Sequence, residues 1–333
     1  MNDGEVKVAI VGTRNGHAVV FGGFLNGWSP EAPTPEQAGG YFDPYYHFYQ
    51  YQRAEQALAS GSPVVAPGAR VTKIWSPDEG AARMVARACK IDEVAGSLEA
   101  ACSGVDAVLV LDGDPVEHER QAAAALDAGL PTFVDKPMAT DVNSCLALYE
   151  RARDSGAPLF SGSGLRWSKE LLIARREFDE GFNEKVEAIY VKVPNRPDQY
   201  AIHAVEMCNV LLGADVRDVR GHDAGGRAVA LLSYGSGQSA VLETLHRQAR
   251  PSYCVVCYGQ RHTRTYHLYD TALPALGLLQ GFLDMVRTGT PPVPQQEVLR
   301  MMEVTLAVQQ ACASGGSVQL APYEAPRAGA PGQ

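Results

Sequence analysis

Short apolar runs punctuate this 333-residue chain at intervals, and most of the early ones lead into a stretch with helical spacing. Val6-Lys7-Val8-Ala9-Ile10-Val11, Val71-Thr72-Lys73-Ile74-Trp75, Val105 to Leu111 and Thr132-Phe133-Val134 are strand-length and suited to burial. Residues 79–90 and Glu117 to Ala128 read as helices, the second closed by Gly129. This βαβαβ alternation predicts a parallel sheet. A helix is then expected from Asp141 to about Asp154, stopping at Ser155-Gly156. A short strand follows at Pro158-Leu159-Phe160, and another helix from Lys169 to Gly181.

From Lys185 the texture changes. The run to Val193, then Ala228 to Tyr234, Ser239 to His246, Tyr253 to Tyr258 and Thr263 to Tyr269, have the spacing of hairpins. They predict a mostly antiparallel sheet with one face left for a partner. Leu273 to Thr288 and Gln295 to Ser314 read as helices, and the Pro/Gly/Ala-rich tail from Ala321 as frayed. One stretch breaks the rhythm. A compact βαβ unit brings its second strand about 30 residues after the first, yet here it waits until Val71. The excess, residues 22–68, holds Gly22-Gly23, several prolines and an aromatic cluster from Tyr41 to Tyr51. It reads either as a functional lid or interface piece, or as a surface excursion packed on its own domain.

Composition narrows the function more than the fold. Hydrophobic residues make up 46% and charged residues 20%, an ordinary globular balance, and the net charge is −9 with a pI near 5.4. That argues against a nucleic-acid partner, which needs a basic face. It leaves room for an anionic cofactor held by backbone amides at a helix N-terminus. No apolar run is long enough for a membrane, and the N-terminus lacks the basic and apolar regions of a signal peptide. The seven cysteines are scattered. Cys254 and Cys257 form a CxxC on an expected strand, where residues three apart face opposite sides, so they read as buried thiols rather than metal or redox groups. A reducing cytoplasm is expected, and no metal.

Candidate chemistry sits at strand ends. Asp135-Lys136-Pro137 follows Thr132-Phe133-Val134 at the carboxyl end of a strand, where ligands of open α/β sheets sit. Pro137 forces a turn that projects the Lys136 ammonium. Gly12-Thr13-Arg14-Asn15-Gly16-His17-Ala18 follows the first strand. It is not GxGxxG, but Gly12 suits a tight turn and Gly16 a close approach to a pyrophosphate. Ser76 ends the second strand, where a dinucleotide's ribose is read. No arginine adjoins it, and Asp78-Glu79 would repel a 2′-phosphate, which favours NAD over NADP. Arg166, after Ser161-Gly162-Ser163-Gly164-Leu165, is placed either to bind an anionic group or to hold a loop. On the helix that Asp198 is expected to cap and Gly213 to close, Tyr200, His203 and Glu206 recur near one face. His203 reads as a proton acceptor or as a hydrogen-bonded structural histidine.

Together these segments resemble the Gfo/Idh/MocA family of nicotinamide-dependent oxidoreductases. The residues that carry the likeness are Val11-Gly12-Thr13 with Gly16-His17-Ala18; Asp135-Lys136-Pro137, in place of the family's common Glu-Lys-Pro; Ser163-Gly164-Leu165-Arg166-Trp167; and Tyr200 to Glu206. The resemblance implies an α/β fold. A Rossmann doubly wound parallel sheet would occupy residues 1–138, with the inserted segment at 22–68. An α+β domain over 139–333 would follow, with a large, mostly antiparallel open sheet serving as the interface of a homodimer or homotetramer.

The resemblance also implies NAD or NADP held by Gly12, Thr13, Arg14, Asn15, Gly16, His17, Ser76, Asp112, Asp135 and Lys136. The expected substrate is a sugar-, cyclitol- or polyol-like small molecule, whose hydroxyl carbon exchanges a hydride with nicotinamide. Lys136, Arg166, Trp167, Gln199, His203 and Glu206 would line its site. Lys136 and the helix histidine meet at the nicotinamide in the family. There an aspartate often stands four residues before the histidine. Here that place is Gln199, with Asp198 one residue off. Glu206 is then the candidate carboxylate for His203, and the base is His203, Lys136 or Tyr200. A redox-neutral lyase or glycoside-cleaving enzyme with retained NAD, and a non-catalytic dinucleotide sensor, are the rival readings.

Overall fold

The computed structural model describes residues 5–27, 29, 66, 68–225, 227–245, 253–268 and 272–323. The aromatic cluster at 41–51, the body of the inserted segment and the tail from residue 324 lie outside them. The fold is mixed α/β, with a parallel sheet and a second, mostly antiparallel one. The chain divides into two compact units. One comprises Met1–Gly162 with Ala272–Val293, the other Ser163–Thr271 with Pro294–Gln333. The expected boundary at 138/139 falls inside the first unit, because the next helix and strand complete its sheet.

In the first unit the strands are β1 (Val6–Val11), β2 (Ala69–Trp75), β3 (Glu93–Val94), β4 (Ala107–Val110), β5 (Thr132–Val134) and β6 (Leu159–Ser161). They lie in the order β3-β2-β1-β4-β5-β6, with every pairing parallel. The order reverses on either side of β1, which places the switch point of a doubly wound sheet beside its carboxyl end. Val8 to Val11 and Ala107 to Val110 are buried throughout. The connecting helices include α1 (His17–Asn26), α2 (Glu79–Ala88), α3 (Leu98–Cys102), α4 (Pro115–Asp127) and α5 (Val142–Ser155). Asp78, Ser97, Asp114 and Asp141 each cap a helix with a side-chain oxygen, and Gly156 ends α5 in the left-handed conformation.

Two features differ from the sequence reading. Residues 22–26, assigned to the insertion, are the second half of α1. Gly22-Gly23 hides the helix because glycine is a poor helix former. At Gly22 the helix runs close to Cys89, and a Cβ would stand a tight 3.0 Å from that side chain. The short β3 and α3 were passed over, being too brief to show a period.

In the second unit β7 (Ala188–Val193), β8 (Val216–Asp223), β9 (Ala228–Tyr234), β10 (Ser239–Thr244), β11 (Tyr253–Tyr258), β12 (Thr263–Leu268) and β13 (Ser317–Gln319) form one sheet. Its order is β12-β11-β7-β10-β9-β8-β13, antiparallel except for β7 with β10. Helices α7 (Pro197–Leu212) and α9 (Gln295–Ser314) cover one face, over Ile189, Val191, Leu232 and Leu242. The other face leaves Val229 and Leu231 exposed. β8 and β13 went unseen because β8 alternates charges instead of apolar residues. Its Gly221 lies so close to α9 that a Cβ would meet the Cys312 amide at 2.5 Å.

The helix expected over Lys169 to Gly181 is α-helical only in α6 (Lys169–Arg176) and widens to a π-turn over Glu177–Phe182. The remaining helix, α8 (Ala272–Thr288), packs on α1 in the first unit. All seven cysteines are free and buried, Cys254 and Cys257 among them. Burial pushes the Cys257 thiol up to about 12. Among the described residues no helix is long and apolar enough to cross a membrane, and no group of three or more His, Cys, Asp or Glu side chains is placed to hold a metal.

Candidate active site

The first cluster forms where β1, β4 and β5 end side by side. Gly12 leaves β1 with φ +86°, and a Cβ there would lie 2.7 Å from the Asp112 backbone. Only glycine suits both the conformation and the space. Gly16 is the N-cap of α1 and has no side chain to cap it, while the Asn15 amide oxygen accepts the first helical amide, that of His17, at 2.8 Å. Such an end offers backbone amides and a partial positive charge to an anionic group. Three carboxylates stand nearby, and each has partners in the turn or the helices. Asp112 accepts from Arg14 Nε (2.7 Å) and Gln121 Nε2 (2.9 Å). Asp135 accepts from Asn15 Nδ2 (2.8 Å) and pairs with His17 Nδ1 (2.7 Å). Asp114 is spent as the α4 cap, 3.7 Å from Arg14. The acidic strand ends therefore hold the turn in shape, and a diphosphate at α1 would meet compensated charges.

His17 stacks on Phe21, which meets Phe133 of β5 edge-on. The strand that carries Asp135 and Lys136 thus also positions the histidine that pairs with Asp135. Burial alone would raise the Asp135 carboxyl, but His17, by charge and hydrogen bond, and then Lys136 hold it well below the usual range. A depressed carboxylate stabilises the fold above its unfolded pKa of about 4, and that stability fades as pH falls through the folded value. Replacing His17 by Ala should move the acid limb of the unfolding profile to higher pH. Melting temperature measured against pH reads the shift; an unchanged limb would mean that His17 does not hold Asp135.

Lys136 follows directly, partly exposed, with a cis peptide bond to Pro137. His118 clamps this turn from α4. It is 1% exposed, with Nδ1 3.0 Å from the Pro137 carbonyl and Nε2 2.9 Å from the Asp112 carbonyl. The sequence reading passed over His118, whose place inside an alanine-rich helix gives no sign that it reaches two strand ends. Ser76, at the end of β2, is buried and accepts from the Thr13 hydroxyl at 2.8 Å. Asp78 is committed to capping α2 through the Ala81 amide (2.9 Å).

The second cluster lies in the second unit, around α7. Pro197 occupies its first turn, and the N-cap position is Arg196, without a side-chain cap. The expected cap by Asp198 is therefore corrected. Proline starts the helix, and Asp198 is its second residue, within the first turn, paired with Arg196 at the surface. Gly213 closes the helix with φ +80°. Tyr200 and His203 stack obliquely, ring centroids 5.2 Å apart, and Tyr253 of β11 stands 6.1 Å from the His203 ring. Gln199 is exposed, and Trp167 ends a 3-10 turn over Gly164–Trp167.

Glu206 does not take the place of a carboxylate on His203. It is fully buried, bonded to Arg166 Nε and to the Ser163 amide (3.4 Å). Arg166 is also bonded to Glu297 of α9. Of the two roles open to Arg166, holding a loop is the one the geometry displays, and an anionic ligand would have to displace a carboxylate. Burial raises the Glu206 carboxyl despite the opposing effect of Arg166. A group that does meet His203 is Ser163, whose Oγ lies 2.7 Å from Nδ1. Ser163 stood in the quoted motif without a role, since residues 40 apart in sequence show no contact until the fold brings them together.

Comparison with known proteins agrees with this architecture. Residues 39–163 match the family model GFO_IDH_MocA, described as an oxidoreductase family with an NAD-binding Rossmann fold; part of that span lies outside the described residues. Over that span the chain is similar to the Gfo/Idh/MocA family. An inositol 2-dehydrogenase of Saccharopolyspora erythraea is 27% identical over 193 residues, covering 53% of this chain and 57% of that protein. A scyllo-inositol 2-dehydrogenase (NAD(+)) of Bacillus subtilis is 26% identical over 174 residues, 47% of this chain and 50% of that one. The chain spans little more than half the length of the curated relatives it matches. Among solved structures, a scyllo-inositol dehydrogenase from Lactobacillus casei with bound NAD(H) and scyllo-inositol superposes with a TM-score of 0.72. It is 14% identical, with 95% of this chain and 99% of that chain covered. At that identity the likeness concerns the fold.

Proposed function

We propose that this protein is an NAD-dependent dehydrogenase that oxidises a ring carbinol of an inositol-like cyclitol. The observation that carries the reading is the cluster at the ends of β1, β4 and β5. The tight turn at Gly12 and the glycine N-cap of α1 suit a dinucleotide, and Lys136 stands on a strand end of the same sheet, between Asp135, which pairs with His17, and Pro137, whose carbonyl His118 meets. The curated relatives named inositol dehydrogenases supply the substrate class. Gly12, Thr13, Arg14, Asn15, Gly16 and His17 would cradle the diphosphate, and Ser76 would face the adenosine ribose. When bound, nicotinamide supplies the hydride acceptor.

The chain's own residues then handle the proton. Lys136 donates a hydrogen bond to the carbinol oxygen and stabilises its developing negative charge. His203 takes the hydroxyl proton, with Tyr200 walling its ring. Gln199 and Trp167 are further candidates for substrate contact. The open sheet face, with Val229 and Leu231 exposed, fits pairing with a second copy.

The test is an initial-rate panel of myo-, scyllo- and chiro-inositol with NAD and with NADP. We expect reduced NAD from at least one isomer and a preference for NAD of about tenfold or more in kcat/KM, about 1.4 kcal/mol. Turnover with NADP alone would overturn the assignment at Ser76. No reduction of either nucleotide by any isomer would overturn the substrate class.

A further inference from the structure

The general base proposed above needs an orienting partner, and the structure offers an uncharged one. We propose that Ser163 is the positioning residue of His203: its hydroxyl oxygen keeps the imidazole proton on Nδ1 and leaves Nε2 to accept the substrate's proton. The inference rests on the dehydrogenase reading and deepens it.

Three observations lead there. Ser163 Oγ and His203 Nδ1 are 2.7 Å apart, and the two residues are 2% and 8% exposed, so water does not compete for the bond. Ser163 is itself held firmly. Its Oγ accepts the Leu165 amide at 3.2 Å as N-cap of the 3-10 turn, and its amide points to Glu206 at 3.4 Å. Lastly, the carboxylate nearest in sequence on α7, Glu206, is consumed by Arg166. A neutral imidazole has one proton to place. If the serine hydroxyl donated to Nδ1, that proton would sit on Nε2 and the ring could not act as a base there. With Nδ1–H donating to Oγ, Nε2 carries the lone pair. The imidazolium formed on proton transfer keeps the same bond, so the partner need not rearrange. The proton leaves the substrate hydroxyl for Nε2, and the electron pair of the broken O–H bond stays on oxygen to form the carbonyl as hydride departs.

A serine differs from a carboxylate in carrying no charge. It fixes the tautomer and the ring angle without favouring the protonated ring electrostatically.

The test has two arms on the full chain. In the first, histidine is labelled with nitrogen-15 and the tautomer of His203 is read by long-range proton–nitrogen correlation, the signal being assigned by its loss in His203→Asn. The neutral ring should carry its proton on Nδ1 in the wild type and in Ser163→Thr, and shift toward Nε2–H in Ser163→Ala. A neutral wild-type ring protonated on Nε2 overturns the proposal whatever the activity. In the second arm, Ser163→Ala should lower kcat by up to about 10²-fold, within the range a positioned base contributes, and should move the pH limb assigned to the base. KM for NAD should stay unchanged, and Ser163→Thr should restore most of the rate. An Ala variant with the wild-type pH profile and rate overturns it. Full turnover in His203→Ala would instead sink the assignment of the base, while the tautomer arm still decides the serine–histidine bond.

Discussion

Replacing Lys136 by Met should lower kcat by about 10²–10³-fold, equivalent to about 3–4 kcal/mol of transition-state stabilisation. The side chain is close in length and apolar, so the change removes the donor and its charge while leaving the turn. That turn is held by groups other than the ammonium: the Asp135 carboxylate by His17 and Asn15, and the Pro137 carbonyl by His118. The loss should therefore fall on kcat more than on cofactor affinity, which calorimetry with NADH reads separately. Lys136→Arg should not rescue the rate, because a planar guanidinium does not present its donors as a compact ammonium does. A variant that keeps wild-type kcat would remove Lys136 from the chemistry.

The largest effect on stability is expected at Arg166. Its guanidinium joins Glu206 of α7 to Glu297 of α9 within the second unit. Arg166→Met should destabilise the protein by about 3–5 kcal/mol near neutral pH, the range for breaking one partner of a buried ion pair. The pH dependence follows from Glu206. Burial raises its carboxyl, and Arg166 is the first of the groups opposing that rise. Without Arg166 the folded carboxyl binds its proton still more readily than the unfolded one. The folded state then holds the extra proton between the two values, so stability falls as pH rises through that window. Chemical denaturation at about pH 5 and about pH 8 should show the variant closer to wild type in the more acidic sample. Arg166→Met with Glu206→Gln should recover part of the loss. An Arg166→Met variant as stable as wild type at neutral pH would show that the three charges do not join α7 to α9.

Much of the fold was legible because its signals are local. β1, β5 and the helices after Asp141 and Gln295 announced themselves by apolar runs and caps within a few residues. β8 gave no such signal: its pairing with β9 and its approach to α9 at Gly221 are long-range facts. The site divides in the same way. Gly12, Asp135 and Lys136 were visible at strand ends, where any open α/β sheet concentrates chemistry. Which carboxylate serves which cation was not visible. Asp198 was expected as a cap and Glu206 as the partner of His203; the structure gives the cap position to Arg196 and pairs Glu206 with Arg166. Sequence spacing on a helix places side chains on a face, but residues arriving from other elements, here Ser163 and Arg166, decide what each one bonds.

The most direct measurement follows a labelled hydrogen. An inositol carrying deuterium at its carbinol carbons would be incubated with stoichiometric enzyme and NAD, and the nucleotide analysed by mass spectrometry after a single turnover. Hydride transfer predicts deuterated NADH in equal amount to an inosose, and slowed formation of both in Lys136→Met and His203→Ala. An inositol turned over with every one of its carbinol deuterons retained in the product, or no label in the nucleotide under conditions where NAD is bound, would contradict it.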